Sequence, residues 1–172
     1  VFLANKELIS NLAGFDVHRG CLARAGIPST LRSLEAQLNH QTPSSVLVLE
    51  GLSDPTNVGT IIRNAAAFEV DLVIADPRGA SPFSRRAART SAGYLFSTPT
   101  ILADPLAAIS QLKTRCPRLE IIATTPQPEA AALHQFSAPK SWALLIGNEG
   151  QGLTPAAFDA ADHSVRIPMA PS

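Results

Sequence analysis

The sequence predicts an α/β domain in which helices flank a parallel β-sheet. Short and nearly continuous apolar runs, rich in Val, Ile and Leu, recur along the chain from residue 46 onward. Such runs are typical of strands that are buried on both faces of a parallel sheet. Stretches with helical spacing separate the runs, and several carry a proline near their start, where a helix does not need the missing N–H. Strands that alternate with helices in this way indicate a parallel sheet with helices on its faces.

The elements follow one another in a regular order after residue 45. The predicted strands are Val46–Leu49, Leu72–Ala75, Leu119–Ala123, Ala143–Ile146 and Ser164–Ile167. The predicted helices are Val58–Phe68, Ser84–Leu95, Pro105–Lys113 and Pro155–Ala160. In sheets of this type, ligands bind beyond the carboxyl ends of the strands. We therefore expect the functional residues in the segments that follow the strands, at residues 50–59, 124–128, 147–152 and 168–172.

Residues 1–42 have a different pattern, and Thr42–Ser45 is a plausible boundary, so two parts are predicted, 1–42 and 43–172. The first part has helical spacing from Phe2 to Leu12 and a short strand around Cys21–Ala25. A second amphipathic helix follows. Its N-cap is Ser29 or Thr30, and its apolar face consists of Leu31, Leu34 and Leu38.

Composition excludes several classes of protein. The chain has 172 residues, about one domain, and its 14 Lys and Arg balance 14 Asp and Glu. This balance excludes a polycation but allows a local basic patch. No apolar run is long enough to span a bilayer. Cys21 and Cys116 lack CxxC spacing and fit a reducing, cytoplasmic compartment. The four His residues show no paired spacing, so no metal site is predicted.

The segment from Glu50 to Arg63 follows the first predicted strand of the sheet. Within it, Asp54 and Pro55 form a turn, and Asn57 is a good helix N-cap. Gly59 permits the close approach of another backbone or of a ligand. The ordinary interpretation is a capped turn with a solvated Arg63, and the segment alone does not decide between that and a functional site.

The segment from Ile146 to Gly152 contains three glycines in six residues after a buried strand. It is not a GxGxxG dinucleotide fingerprint, because Pro155 stands where the last glycine is needed, nor a P-loop, because Leu153 replaces the required lysine. The glycines indicate a tight turn or space for a flat ligand. A carboxylate between them, Glu149, favours a functional interpretation.

The segment from Arg78 to Arg89 holds four arginines and no acidic residue. Arg85 and Arg89 are one helical turn apart and share a face. Such charge runs are usually solvated helix faces. The functional alternative is a patch that contacts RNA phosphates through Arg85, Arg86 and Arg89.

Taken together, four segments resemble the motifs of the SpoU (TrmH-type) branch of the SPOUT RNA methyltransferases. They are Asp54-Pro-x-Asn57-x-Gly59-x-x-x-Arg63, Arg89-Thr-Ser-Ala-Gly93, Gly147-Asn-Glu149-Gly150-x-Gly152 and Ile167-Pro168-Met169. Their order and spacing agree with the family across residues 46–172. Several segments in the right order are far more specific than any one of them.

The resemblance implies a fold and a reaction. The fold is a SPOUT parallel sheet whose C-terminal part forms a trefoil knot, one of the rare exceptions to unknotted chains. The reaction is transfer of a methyl group from S-adenosylmethionine to a ribose 2′-hydroxyl in RNA, by a homodimer. The residues that the resemblance places at the cofactor are Thr124, Gly147, Glu149, Gly152, Ile167 and Met169. Arg63 is the implied catalytic residue, with Asn57 and Glu149 in support.

The ends of the chain depart from the family pattern. Relatives continue after Ile167-Pro168-Met169 into a long helix that completes the knot and much of the dimer interface, whereas this chain stops at Ser172. We therefore expect an incomplete knot. Residues 1–42 resemble the tail of a small RNA-binding domain found in many rRNA enzymes, which favours rRNA as substrate. A tRNA ribose methyltransferase and a non-catalytic RNA-binding module remain as alternatives.

Overall fold

The computed structural model describes residues 2–17, 20–21, 23, 26–27 and 33–169. Within them lies a sheet of seven strands in the order β3-β2-β1-β6-β4-β7-β5. The strands are β1 Ser45–Leu49, β2 Leu72–Ala75, β3 Thr100–Leu102, β4 Glu120–Thr124, β5 Ala131–Ala132, β6 Trp142–Ile146 and β7 His163–Arg166. Each neighbouring pair runs parallel. The predicted parallel α/β sheet is therefore confirmed.

The described helices cover both faces of this sheet. They are α1 Lys6–Ala13, α2 Leu34–His40, α3 Pro55–Ala67, α4 Arg85–Thr90, α5 Pro105–Arg115 and α6 Pro155–Asp159. Helices α2 and α5 pack on one face, in an apolar cluster that includes Leu38, Leu112 and Ile74. Helices α3 and α4 pack on the other face, in a cluster that includes Ile62, Ala87 and Leu49. The alternating side chains of the buried strands supply both clusters, as the apolar runs predict.

Two predicted helix boundaries are wrong. Asn57 is not the N-cap of α3, because the Asp54 carboxylate accepts the Thr56 N–H at 2.8 Å and Pro55 occupies the first helical turn. Helix α4 ends at Thr90 instead of continuing to Leu95. Ala92 and Gly93 adopt φ values of 53° and 90°, which break the helix, and a short 3₁₀ turn follows.

Strands β3 and β5 were not predicted. They have only three and two residues, too few to produce an apolar run that stands out in the sequence. Both lie at the edges of the sheet, where a strand needs one partner only.

The N-terminal part is described only in pieces. The predicted strand Cys21–Ala25 and the predicted cap residues Ser29 and Thr30 fall largely or wholly outside the described residues. Helix α2 begins at Leu34, where the hydroxyl of Ser33 accepts the Ala36 N–H. Its predicted apolar face is buried in the core through Leu34 and Leu38. The division at residue 42 and the C-terminal knot stay predictions.

The strand order places one group of loops together. Strand β6 lies between β1 and β4, and β4 in turn pairs with β7. Because the strands are parallel, the loops that follow all four meet at one edge of the sheet. No helix in the described part of the chain is long and apolar enough to cross a membrane.

Candidate active site

The loop that follows β6, residues 147–152, is a tight turn organised by Asn148. The backbone N–H and C=O of Asn148 pair with those of Gly152 at 3.0 and 2.9 Å. The side-chain oxygen of Asn148 accepts the N–H groups of Gly150 and Gln151, and its amide donates to the Gly51 carbonyl at 2.8 Å. At Gly147, an added Cβ would lie 2.3 Å from the carbonyl carbon of Gly152. The turn therefore closes only with glycine at position 147.

Glu149 joins this loop to the loop that follows β1. Its carboxylate accepts the N–H and hydroxyl of Ser53 at 3.1 and 3.0 Å and the N–H of Asp54 at 3.3 Å. The side-chain amide of Asn57 donates to the same carboxylate at 2.9 Å. These hydrogen bonds, that of the Ser53 N–H foremost, lower the pKa of Glu149 from its ordinary 4.5 to about 2.

A second carboxylate, Glu50, makes a similar connection from the end of β1. It is only 5% exposed, and it accepts the N–H and hydroxyl of Thr154, each at 2.8 Å. Thr154 is the N-cap of α6, so Glu50 fixes the far end of the 147–152 loop. Sequence analysis assigned no role to Glu50. The available signal was a charged residue directly after a fully apolar strand.

The depressed pKa of Glu149 makes stability depend on pH. A carboxylate whose folded pKa lies below its unfolded value contributes stability above the unfolded pKa and loses it as pH falls through the folded pKa. We therefore expect the free energy of unfolding to fall between about pH 4.5 and pH 2. In Glu149→Gln this part of the fall should be absent, and stability at pH 7 should be lower. Urea unfolding at several pH values measures both effects.

The matched control for this prediction is Glu129→Gln. Glu129 is exposed and lies in the segment that follows β4, outside the connection between the two loops. Its replacement should leave the pH dependence of unfolding as in the unchanged chain. Equal pH profiles for Glu149→Gln and the unchanged chain would show that Glu149 does not hold the loops.

A cavity of about 690 Å³ opens beside the 147–152 loop, at the ends of β4, β6 and β7. Its size lies in the range of small-molecule sites, roughly 300–1,000 Å³. Five of the residues predicted to bind the cofactor line it: Thr124, Gly147, Gly152, Ile167 and Met169. The sixth, Glu149, lines an adjoining cleft of about 490 Å³ that shares Thr124 and Gly152 with the cavity. The structure therefore brings the predicted group together at one place.

The wall of the cavity is largely apolar and includes nine residues that the sequence does not single out as cofactor contacts, although four of them lie in the expected segments 124–128 and 147–152. These are Thr125, Pro126, Pro128, Leu133, Leu144, Ile146, Asn148, Val165 and Arg166. Most are apolar side chains near strand ends, which look like ordinary core in a sequence. Ile167 and Met169 are 73% and 86% exposed, so they form an open side of the cavity. The hydroxyl of Thr124 donates to the Leu145 carbonyl at 2.8 Å and is thereby fixed.

Arg63 does not line this cavity. It is exposed on α3, six residues beyond Asn57 and so about 9 Å further along the helix axis. Within the described residues its side chain makes no hydrogen bond or ion pair. Glu149 therefore anchors Asn57 and Ser53, and the structure shows no contact between Glu149 and Arg63.

Helix α4 packs against α3 close to Arg63. An added Cβ at Gly59 would lie 2.3 Å from the carbonyl oxygen of Ala87, so the two backbones touch there. Arg63 lies one helical turn after Gly59 and therefore on the side of α3 that faces α4. Arg86 crosses from α4 to donate to the Thr56 hydroxyl at 2.8 Å. The three predicted RNA-binding arginines, Arg85, Arg86 and Arg89, are all exposed.

The described residues contain no cluster of three or more His, Cys, Asp or Glu side chains that could hold a metal ion. Charge at the site comes from the carboxylates of the two loops, from Arg166 in the cavity wall, and from the arginines of α3 and α4. The site therefore combines a largely apolar cavity with a separate basic surface.

Comparison with known proteins identifies the family. Residues 44–172 match the model of the SpoU rRNA methylase family. An uncharacterized tRNA/rRNA methyltransferase of Mycobacterium tuberculosis is 38% identical over 172 residues, which cover 98% of this chain and 58% of that protein. The chain belongs to the SpoU family, and the resemblance seen in its motifs is confirmed.

Solved structures agree with this membership. The SpoU methyltransferase AviRb from Streptomyces viridochromogenes, in complex with AdoMet, is 27% identical with a TM-score of 0.69, over 76% of this chain and 53% of that one. An RNA 2′-O ribose methyltransferase is 28% identical with a TM-score of 0.66, over 92% of this chain and 54% of that one. The chain thus spans little more than half the length of these relatives.

Proposed function

We propose that this protein transfers a methyl group from S-adenosylmethionine to a ribose 2′-hydroxyl of RNA, with rRNA as the preferred substrate. The observation that carries the proposal is the cavity that the Gly147 and Ile167 segments line together, joined through Glu149 to the helix that bears Arg63. The complex of a SpoU relative with AdoMet and the name of the 2′-O ribose methyltransferase support it.

The cavity suits the cofactor chemically. Apolar side chains and glycine backbone can contact a flat adenine, and the fixed Gly147 turn keeps the wall open. The one charged side chain that lines the cavity among the described residues, Arg166, donates to the Ala130 carbonyl at 3.1 Å. We propose Thr124, Gly147, Gly152, Ile167 and Met169 as the residues that hold the cofactor, with Glu149 keeping their loop in place. S-adenosylmethionine supplies an electrophilic methyl group on a cationic sulfur.

The protein's own task is to position the ribose and to stabilise the oxygen that attacks the methyl group. We propose Arg63 for this task, through charge stabilisation of the forming alkoxide and orientation of the adjacent phosphate. The proton of the hydroxyl leaves to phosphate or to water. Asn57 contributes by fixing the loop, because its amide is held by Glu149 at 2.9 Å.

A homodimer would bring Arg63 of one chain to the cavity of the other. Arg63 does not line the cavity of its own chain, so a second copy that presents its cavity to Arg63 would complete the site. We propose such a dimer, acting in the cytoplasm.

The name of the mycobacterial relative includes both tRNA and rRNA, and tRNA is the alternative substrate. A non-catalytic RNA-binding module is the alternative activity.

Calorimetric titration with S-adenosylmethionine tests the proposal. We expect saturable binding at one site per chain, and no heat of binding with NAD⁺ as the matched control ligand. Incubation with radiolabelled S-adenosylmethionine and either rRNA or tRNA then identifies the substrate from the label retained in alkali-resistant dinucleotides, which contain 2′-O-methylribose. Binding of RNA without transfer of label from a bound cofactor would instead support the non-catalytic module.

A further inference from the structure

The N-terminal segment Lys6–Val17, called here the N-terminal hook, folds back onto the arginines of α4. Helix α1 ends at Ala13, its C-cap Gly14 has a φ of 71°, and the chain then reverses direction. Val17, at the end of the hook, is buried, and its N–H donates to the hydroxyl of Ser10 in α1 at 3.2 Å. This hydrogen bond holds the end of the hook against the helix. Lys6 and Asp16, at the two ends of the hook, form an ion pair at 3.1 Å.

Phe15 lies against two of the three arginines proposed to contact RNA. The guanidinium carbon of Arg85 is 3.8 Å from the centre of the Phe15 ring, and that of Arg89 is 5.4 Å from it. Both distances are within the reach of a cation–π interaction. Arg85 also donates to the carbonyl oxygen of Ala13 at 3.4 Å. The hook therefore holds both side chains from one side.

The contact leaves the arginines able to bind phosphate. A guanidinium that stacks on a ring still presents the N–H donors at its edge, which match a phosphate in a bidentate fashion. Neither the ring nor the carbonyl carries a negative charge, so the positive charge of Arg85 and Arg89 is kept. Both side chains also remain exposed. A segment that masked an RNA site would be expected to place carboxylates on these arginines.

We propose that Phe15 is a positioning residue that pre-orders Arg85 and Arg89 for RNA phosphates. An unrestrained arginine loses side-chain freedom when it binds, and restraint in the free protein reduces that cost. The inference rests on the proposed function, because it takes RNA as the partner of α4. It adds a role for the hook, which no motif in the sequence assigns.

The experiment compares four variants of the chain in binding to a 30-nucleotide oligouridylate at several salt concentrations. Phe15→Leu keeps an apolar side chain but removes the ring, and we expect a dissociation constant about two- to fivefold higher, the size of an exposed cation–π interaction. Phe15→Tyr keeps the ring and should restore binding. The matched control is Phe136→Leu, since Phe136 contacts His163 on β7 and no arginine of α4.

Replacement of Arg85, Arg86 and Arg89 together by alanine provides the reference for complete loss of the patch. That variant should bind more weakly, and its slope of log K against log salt should be shallower by up to about 2, since each phosphate contact with single-stranded RNA contributes about 0.7. Phe15→Leu keeps all three arginines, so its slope should stay near that of the unchanged chain while its dissociation constant rises. Titration with S-adenosylmethionine should be unchanged in every variant, which shows that the fold is intact.

Each result of the binding experiment either supports or overturns the positioning role of Phe15. Weaker binding in Phe15→Leu with recovery in Phe15→Tyr supports the positioning role. Unchanged binding in Phe15→Leu, beside a weakened triple-arginine variant, overturns that role and leaves the proposed function standing. Tighter RNA binding in Phe15→Leu overturns the positioning role and indicates instead that the hook masks the arginines. Unchanged RNA binding in the triple-arginine variant would show that RNA does not bind at α4, and this also overturns the positioning role. Failure of the proposed function itself appears in a different measurement, as absent cofactor binding or as absent transfer of label to RNA.

Discussion

Arg63→Ala is expected to lower the turnover number for methyl transfer by about 10²–10³-fold, the usual cost of losing a group that stabilises charge in a transition state. Binding of S-adenosylmethionine should change little, because Arg63 does not line the cavity of its own chain and its proposed contacts are to the ribose and phosphate of RNA. Single-turnover transfer of label to RNA measures the first quantity, and calorimetry measures the second.

The matched control is Arg118→Ala. Arg118 is also exposed but lies between α5 and β4, away from α3 and α4, so its loss should leave both quantities unchanged. Arg63→Lys adds a finer test, because it keeps the charge and loses the planar pair of donors. Turnover that is the same in Arg63→Ala and in the unchanged chain would exclude Arg63 from the mechanism.

The role expected of Arg63 follows from the chemistry of its side chain. A guanidinium keeps its proton under all ordinary conditions, so a literal general base is unsuitable. A fixed positive charge is suitable, because the attacking ribose oxygen becomes negative as it loses its proton. Arg63 is also free of hydrogen bonds and ion pairs to the described residues, so its charge is available to a substrate.

Much of the sheet could be predicted because its strands are buried on both faces. Runs such as Val46–Leu49 and Leu72–Ala75 have no polar side, which is typical of a parallel strand that is buried on both faces. Edge strand Ala131–Ala132 has no such constraint and left no signal. The end of α4 was also missed, since Ala92 adopts a positive φ of 53° that is unusual for alanine and invisible in its sequence.

Part of the site could be predicted, because the backbone of a tight turn accepts only certain amino acids at some positions. Gly147 and Glu149 stand out because a tight glycine-rich turn with a carboxylate directly follows a buried strand. The prediction that Asn57 caps α3 is wrong, because Asp54 caps the helix and the Asn57 amide donates to Glu149. The Phe15 contact with Arg85 could not be predicted, because about seventy residues separate two side chains that carry no mutual pattern.

Gly147→Ala is expected to abolish cofactor binding and to destabilise the fold. The new Cβ would lie 2.3 Å from both the carbonyl carbon of Gly152 and the backbone nitrogen of Leu153. These are backbone atoms, which cannot move aside as the end of a side chain can. Relief of the clash must open the 147–152 turn, at a cost of about 3 kcal/mol or more. For a chain of this size that corresponds to a fall in Tm of roughly 6–12 °C.

Gly150→Ala, in the same loop, separates this clash from a general preference for glycine. Its added Cβ would meet only the side-chain oxygen of Asn148 at 3.5 Å, an ordinary contact. Thermal unfolding and calorimetry should therefore give values near those of the unchanged chain. If Gly147→Ala bound S-adenosylmethionine as well as Gly150→Ala does, the wall formed by the turn would not contact the cofactor. The cavity between β4, β6 and β7 would then lose its assigned ligand, because the turn shapes the side of the cavity nearest to Glu149.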